Sequence, residues 1–396
     1  MKISARCSSI APSLTLALTA KAKALRAEGR DVLSFGAGEP DFDTPDFIKQ
    51  VAIEDLQAGK TKYTAAKGGP EILGAVQRAL KRDYGLEYSE GELLVSVGGK
   101  HSLYNLFQGI VDAGDEVIVP APFWLSYPEQ IKAASGEPVI VNCGPEQGFL
   151  LTAAQLEAAI TPRTVAVILN SPSNPTGVVY PRERLAELAD VLRRHPNVAL
   201  VSDDLYQKLV YAPAEFVGIL SVAPDLRDRT FIVNGWSKAY SMTGWRLGWM
   251  AGPPKPMKAI SSLQSHATSN VTTFCQRAAA VALDSDHEFL KPWVKAFQER
   301  RRALIDGLKS IDGFSVNPEP QGAFYVFPDV SGTFGREIAG KKIGGSMDLA
   351  ELLLEKADVS IVPGAAFGED RCARLSYATS TSVIERGVER LRKLLG

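Results

Sequence analysis

No sign of charge dominates this sequence. Its 44 lysines and arginines stand against 45 aspartates and glutamates, a formal net charge of −1. The chain therefore lacks the basic excess of a nucleic-acid binder. Like charges form no terminal tail, and there is no internal repeat or low-complexity tract. Long hydrophobic runs are missing too: no stretch approaches the roughly 18 apolar residues that a membrane span requires. The four cysteines, Cys7, Cys143, Cys275 and Cys372, show no CxxC spacing, and His101, His195, His266 and His287 are equally scattered. That pattern argues against a metal site and calls for no disulfide framework, so all eight read as packing residues. Ile10–Ala20, behind Lys2 and Arg6, faintly resembles a secretory signal. Pro12, Ser13, Thr15 and Thr19 interrupt it, and it runs into an amphipathic helical stretch at Lys21–Arg26, so a cytoplasmic protein is expected.

What is present is a 396-residue chain with 45% apolar residues, enough for one large core and a smaller second one. Short apolar runs at Leu93–Val97, Glu116–Val119, Val165–Leu169, Val198–Val201 and Phe231–Val233 lack period-2 alternation. Such runs suit strands buried on both faces of a mainly parallel sheet. Helical patterns lie between them, at His101–Val111 and at Arg182–Arg194, the latter with Pro181 in a first-turn position. The alternation predicts a three-layer α/β/α domain. Leu247–Ala251 reads as one more strand, reached by a short turn and so antiparallel. A long helical region is expected over 255–283 and another over 287–310. Strand candidates at Ala323–Phe327, Val359–Val362 and Arg374–Tyr377 and helices near 348–357 and 382–395 complete an α+β region. The expected division is an N-terminal arm with part of the small domain (1–45), a large domain (46–285) and a small C-terminal domain (286–396).

The segment from Asn234 to Gly248 carries the most chemistry. Lys238 follows a strand end, where α/β folds place ligands. A lysine amine can condense with an aldehyde cofactor and shuttle protons once released. Arg246, eight positions on, is a two-pronged donor suited to a phosphate. Gly98-Gly99-Lys100 follows a strand and opens a helix, a ready anion site. It is not a Walker A loop, because Leu94 stands where that pattern needs Gly and His101 where it needs Ser or Thr. Gly36-Ala-Gly38 fails as a dinucleotide fingerprint, with Asp41 at the third glycine position. Asp203 and Asp204 also suit a helix cap, the reading that fits Asp204 best.

Taken together, Ser237-Lys238 with Arg246, Gly38-Glu-Pro-Asp-Phe-Asp-Thr-Pro45, Lys60–Tyr63, Gly98–Lys100, Asn170–Gly177, Ser202–Tyr206 and Arg374–Ala378 resemble the class I and II, fold type I, aminotransferases. Their order and spacing are most similar to the bacterial-type aspartate aminotransferase subgroup, over essentially the whole chain. The resemblance implies a pyridoxal-phosphate cofactor carried on Lys238. Asp203 would face the pyridine nitrogen, Tyr206 and Asn174 the phenolic oxygen, and Trp124 the ring. Gly99, Lys100, Ser237 and Arg246 would hold the phosphate, joined by Tyr63 from a neighbouring subunit. Arg374, assisted by the amide of Gly38, would clamp the substrate α-carboxylate, with Trp124 and Asn174 also at the substrate. Lys100 would help bind the distal carboxylate of dicarboxylic substrates; a purely phosphate-neutralising role is the alternative.

The implied activity is ping-pong amino transfer from L-aspartate, or a similar amino acid, to 2-oxoglutarate in a homodimer with shared active sites. Other substrates (aromatic amino acids, alanine, prephenate) and a β-lyase or aminocyclopropane-carboxylate synthase reaction on the same fold are the rivals, since fold does not set reaction type. A regulator of the same fold would need a DNA-binding module, for which residues 1–35 are too few, and an idle relative would not keep Lys238, Asp203, Arg246 and Arg374 together. Family members that use prephenate tend to carry Lys-Pro-Ser-x-Thr; this chain has Ala11-Pro-Ser-Leu-Thr15, which predicts weak prephenate activity. The resemblance also predicts cis peptides at Ala121-Pro122 and Asn174-Pro175.

Overall fold

The computed structural model describes residues 1–10 and 14–396. Helices α1 (Ala5–Ser8) and α2 (Leu14–Ala27) lead into the two-residue strand β1 (Leu33–Ser34). Helices α3 (Asp46–Gln57) and α4 (Pro70–Tyr84) follow. In α4 the apolar spacing puts Ile72, Leu73, Val76 and Leu80 on one buried face, each worth roughly 1.5–3 kcal/mol when fully buried. Pro70 starts the helix, where a missing N–H costs nothing. Gly85 ends it in the left-handed region, at φ 69°.

Seven strands build the central sheet: β2 (Leu93–Ser96), β3 (Glu116–Ala121), β4 (Glu137–Asn142), β5 (Thr164–Asn170), β6 (Ala199–Asp203), β7 (Thr230–Gly235) and β8 (Gly248–Ala251). They lie in the order β2-β8-β7-β6-β5-β3-β4. Only β8 runs against the others, antiparallel to both β7 and β2. Neighbouring strand residues alternate between two apolar clusters. Ile118, Val167, Leu200 and Ile232 pack on one side of the sheet. Val117, Ile168, Val201 and Phe231 pack on the other, with Leu103, Phe107, Met257 and Ile260. Both faces are covered, which is why these strands read as continuous apolar runs. The covering helices are α5 (Gly99–Ile110), α6 (Ser126–Ala133), α7 (Ala153–Ala159), α8 (Arg182–Arg194), α9 (Pro254–Ala267) and α10 (Thr273–Asp284).

Beyond α11 (Leu290–Leu308) come β9 (Tyr325–Val326), the hairpin of β10 (Glu337–Ile338) and β11 (Lys341–Lys342), α12 (Ser346–Lys356), β12 (Val359–Ser360), β13 (Val362–Pro363), β14 (Ala373–Ser376) and α13 (Thr381–Leu395). Strands β13-β14-β9 form a small antiparallel sheet. Strand β1 pairs in parallel with β12, which ties the N-terminal segment to this C-terminal region. No helix among the described residues is long and apolar enough to cross a membrane.

Several expectations need correction. The helical region expected over 255–283 is two helices, broken at Thr268–Thr272, where Ser269 takes a left-handed φ of 60°. Pro181 is the N-cap of α8 and not its first helical residue. Strand β4 escaped notice because it lies at the sheet edge, half exposed and without a buried run. Ala121-Pro122 is cis, but Asn174-Pro175 is not, and the cis bond in that loop is Ser171-Pro172. The chain reverses at 173–178 through the Gly177 N–H to the Ser173 carbonyl and the Ser173 N–H to the Val178 carbonyl, with Gly177 at φ 69°.

Candidate active site

The carboxyl ends of β2, β3, β5, β6 and β7 all lie along one edge of the central sheet, the place where open α/β sheets bind ligands. A cleft of about 1140 Å³ opens there. It is lined by Lys238, Asp203, Tyr206, Asn174, Trp124 and Lys100, and also by Gly38, Gly99, Ser237, Arg246 and Arg374. Tyr63 does not line it; that side chain is 90% exposed.

One corner is made for an anion. Helix α5 starts at Gly99; the N–H groups of His101 and Ser102 meet the Gly98 carbonyl, while Gly99 and Lys100, whose N–H groups have no preceding helical carbonyl to bond, line the cleft. Gly98 holds φ 87°, and a Cβ there would lie 2.6 Å from a guanidinium nitrogen of Arg246. Gly248 is equally constrained: its Cβ would come within 2.2 Å of the Gly99 nitrogen. The two glycines therefore let β8 and Arg246 close on the start of α5. Arg246 itself sits at φ 57° and donates to the carbonyls of Thr243 (2.9 Å) and Val97 (3.3 Å). His101 is more than packing, since its Nδ1 accepts the Val97 N–H at 3.3 Å.

The middle of the cleft holds an acid and three phenols. Asp203 is the last residue of β6, accepting from the Tyr127 hydroxyl at 2.5 Å and the Leu205 N–H at 3.3 Å. Burial pushes its carboxyl up to about 6, against the pull of those donors and of Lys238. A cation placed on this carboxylate would restore its charge. Tyr206 shares a 2.9 Å hydrogen bond with the Tyr325 hydroxyl. Asp204, expected to cap a helix, does not: no helix follows it. It is fully buried and accepts from the Ser202 hydroxyl (2.7 Å) and the Tyr84 hydroxyl (2.9 Å).

Lys238 lies just beyond the end of β7, half-buried, and its Nζ donates to the Gly38 carbonyl. Burial brings its amine down to about 8; Glu39 opposes this, while Arg374, Arg246 and Lys100 add to it. The Lys100 ammonium stands 4.9 Å from the centre of the Trp124 ring, and burial followed by Arg246 lowers its pKa. At the far wall, Arg374 is only 5% exposed. It donates to the Asn174 Oδ1 at 2.9 Å and to the Gly36 carbonyl at 3.0 Å, while its Nε has no partner among the described residues. Such an orphaned buried donor is costly unless a ligand completes it, and a carboxylate would. The bond to Oδ1 leaves the Asn174 amide nitrogen free to act as a donor elsewhere.

Tyr127 and Tyr325 were missed in the sequence. Tyr127 lies three positions after Trp124 in the same loop-to-helix turn, but nothing in its neighbours marks it as an Asp203 partner. Tyr325, inside an apolar strand candidate, reads as core. Among the described residues no cluster of ligating side chains suits a metal, and the four cysteines are free thiols.

Comparison with known proteins gives consistent results. The sequence pattern of the family described as aminotransferase class I and II matches residues 30–391. The chain is 48% identical over 384 residues to an aspartate/prephenate aminotransferase of Cereibacter sphaeroides, covering 97% of this chain and 96% of that one. It is 46% identical over 396 residues to an aspartate aminotransferase of Geobacillus stearothermophilus, covering 100% and 99%. The crystal structure of an aspartate aminotransferase from Rhizobium meliloti superposes with a TM-score of 0.97 at 44% identity, covering 100% of this chain and 99% of that one.

Proposed function

We propose a donor, an acceptor and a cofactor for a chain that belongs to the class I and II aminotransferases. The donor is L-aspartate or a similar dicarboxylic amino acid, the acceptor is 2-oxoglutarate, and the two half-reactions alternate at one site. The single observation that carries this reading is the cleft itself, with Lys238 and Asp203 at the strand ends, Arg374 on one wall and Lys100 on another.

The residues present fit pyridoxal phosphate. The start of α5 and Arg246, pressed against Gly98, form a cradle for its phosphate, with Ser237 on the lining. Asp203 suits a protonated ring nitrogen, Tyr206 and Asn174 a phenolic oxygen, and Trp124 a ring face. When bound, this cofactor supplies an aldehyde that condenses with amines and a cationic ring that takes up electron density. Arg374 and the amide of Gly38 orient the substrate α-carboxylate. Lys238, whose amine burial brings down to about 8, is thereby a readier base than an ordinary lysine and accepts the substrate Cα proton through Nζ. The same Nζ returns a proton as the keto acid forms. Asp203 stays anionic opposite the ring nitrogen.

The homodimer rests on the resemblance at Tyr63, and it is supported by that side chain being 90% exposed and absent from the lining of its own cleft. We read the large unit as residues 46–285 and the small one as 1–45 with 286–396, and the cytoplasmic setting rests on sequence alone. Prephenate is assigned a weak role, although a 48% identical relative is named for it, because Ala11 lacks the lysine cation; Ala11 lies outside the described residues.

An amino-acid panel tests the assignment. In Lys100→Ala, kcat/KM for aspartate and glutamate should fall about tenfold or more, and for alanine and phenylalanine much less. An equal fall for all, with looser cofactor, would assign Lys100 to the phosphate instead. Prephenate turnover matching that of oxaloacetate would overturn the Ala11 reading, and release of ammonia would favour a β-lyase.

A further inference from the structure

We propose that Tyr325 is a positioning residue serving both ends of the site: its hydroxyl directs the proton of Tyr206 toward the cofactor, and its ring face seats Arg374 for the substrate carboxylate. The proposal rests on the reading that Tyr206 and Arg374 face cofactor and substrate.

Tyr325 is fully buried in β9, whose partner β14 carries Arg374. The register pairs Tyr325 with Ser376, so Arg374, two residues away, projects from the same face of the sheet. The Arg374 guanidinium carbon stands 4.5 Å from the centre of the Tyr325 ring, and Phe367 flanks it at 5.1 Å. A planar cation held between two ring faces keeps its N–H edge free to meet a carboxylate. Its Nε is the donor left without a partner.

The hydroxyl of the same tyrosine reaches the other half of the cleft. It lies 2.9 Å from the hydroxyl of Tyr206, which follows β6 in the central sheet. Two hydroxyls so placed share one hydrogen bond and keep one proton for a third group. If Tyr206 donates to Tyr325, an acceptor at the cleft meets only a lone pair of Tyr206. If Tyr325 donates, the Tyr206 proton is free for that acceptor. The Arg374 charge over the Tyr325 ring selects the second arrangement. It lowers the proton affinity of both phenols. At Tyr206 it ranks behind the upward push of burial and of Tyr325, whereas at Tyr325 only burial outranks it, so Tyr325 is the better donor of the pair. Tyr206 carries a pKa raised by burial and then by Tyr325. Donation from Tyr325 polarises the Tyr206 O–H, so the two bonds in series strengthen one another. One side chain thus connects the substrate clamp on the small sheet with the cofactor donor on the large one.

The test uses the pyridoxal-phosphate-loaded protein and two readouts other than turnover: the pH midpoint of the bound cofactor's absorption, and the Kd of succinate, a dicarboxylate that cannot react. A donor to the phenolic oxygen favours its anion and lowers the midpoint. Tyr325→Phe should therefore raise the midpoint by roughly half a unit or more. Tyr206→Phe should raise it at least as far, and the double variant should add nothing to Tyr206→Phe alone. A shift in Tyr206→Phe with none in Tyr325→Phe overturns the relay while leaving the assignment of Tyr206 intact. No shift in Tyr206→Phe overturns that assignment and the relay with it. For the ring, succinate Kd should stay within about twofold in Tyr325→Phe and rise about fivefold or more in Tyr325→Leu. Equal weakening in both overturns the seating role. Should the leucine variant not fold, a loss beyond twofold in Tyr325→Phe alone does so.

Discussion

The two walls of the cleft are built on different principles. On the central-sheet wall, Asp203, Lys238 and the start of α5 sit at or just beyond strand ends, where the ladder fixes the backbone and each side chain has little left to settle. On the small-sheet wall, Arg374 comes from a four-residue strand and is held by contacts that cross to the other wall, to Asn174 and, through Tyr325, to Tyr206. On the proposed function, the central-sheet wall would supply the reacting amine and charge, and the small-sheet wall the grip on substrate. Substitutions on the first should therefore damage kcat, and on the second KM.

The largest effect is expected at Lys238. Lys238→Ala should bind pyridoxal phosphate without a covalent link and lose transamination by about 10⁴-fold or more in kcat. Borohydride should fix the cofactor to the wild type and not to the variant, and near-normal turnover in the variant would remove Lys238 from the reaction. Next comes Arg374→Lys, which keeps the charge and loses the fork and the stacking. Here kcat/KM should fall about 30- to 1000-fold, mostly through KM, as a buried ion pair loses its geometry. A fall confined to kcat would erase the distinction between the walls.

The smallest expected effect sharpens the view of the central-sheet wall. In cofactor-free protein Asp203 titrates near about 6, above the ordinary carboxylate value of 3.8, because burial outweighs the help of Tyr127. An acid raised in the folded state contributes most below its unfolded pKa, and that contribution is lost as pH rises to the folded pKa. For the wild type the loss levels off as pH passes through about 6. Tyr127→Phe removes a donor, so its Asp203 should titrate roughly one unit higher and stability should go on falling to about pH 7. Melting temperatures of cofactor-free wild type and variant between pH 5 and 8 measure the difference, with Asp203→Asn as the background in which it should vanish. Parallel curves for the two would show that Tyr127 does not support the charge of Asp203.

The same contrast accounts for what could be read in advance. Lys238, Arg246 and Gly98–Gly99 are tied to one strand or turn each, and a local motif is visible in local sequence. The strands of the central sheet were legible for a related reason: burial on both faces writes an unbroken apolar run. Strand β4, exposed along the sheet edge, leaves no such trace. Asp204 shows the limit of local reading. An aspartate after a strand suits a cap, but its real partners are Ser202 and a tyrosine from α4, far away in the chain.

The sequence by itself determined the layered α/β fold and the order of its main elements, because periodicity is a local property, and residue chemistry singled out Lys238, Arg246 and Gly98–Lys100; Asp203 and Arg374 entered only through the resemblance of whole motifs. Only the tertiary structure decided that Tyr127 serves Asp203, that the Gly38 carbonyl receives Lys238, and that Tyr325 stands between Arg374 and Tyr206. Those pairings join residues far apart in the chain. Hydrogen bonds and ring contacts depend on distances of a few ångströms, which chain order does not encode until the two sheets are packed.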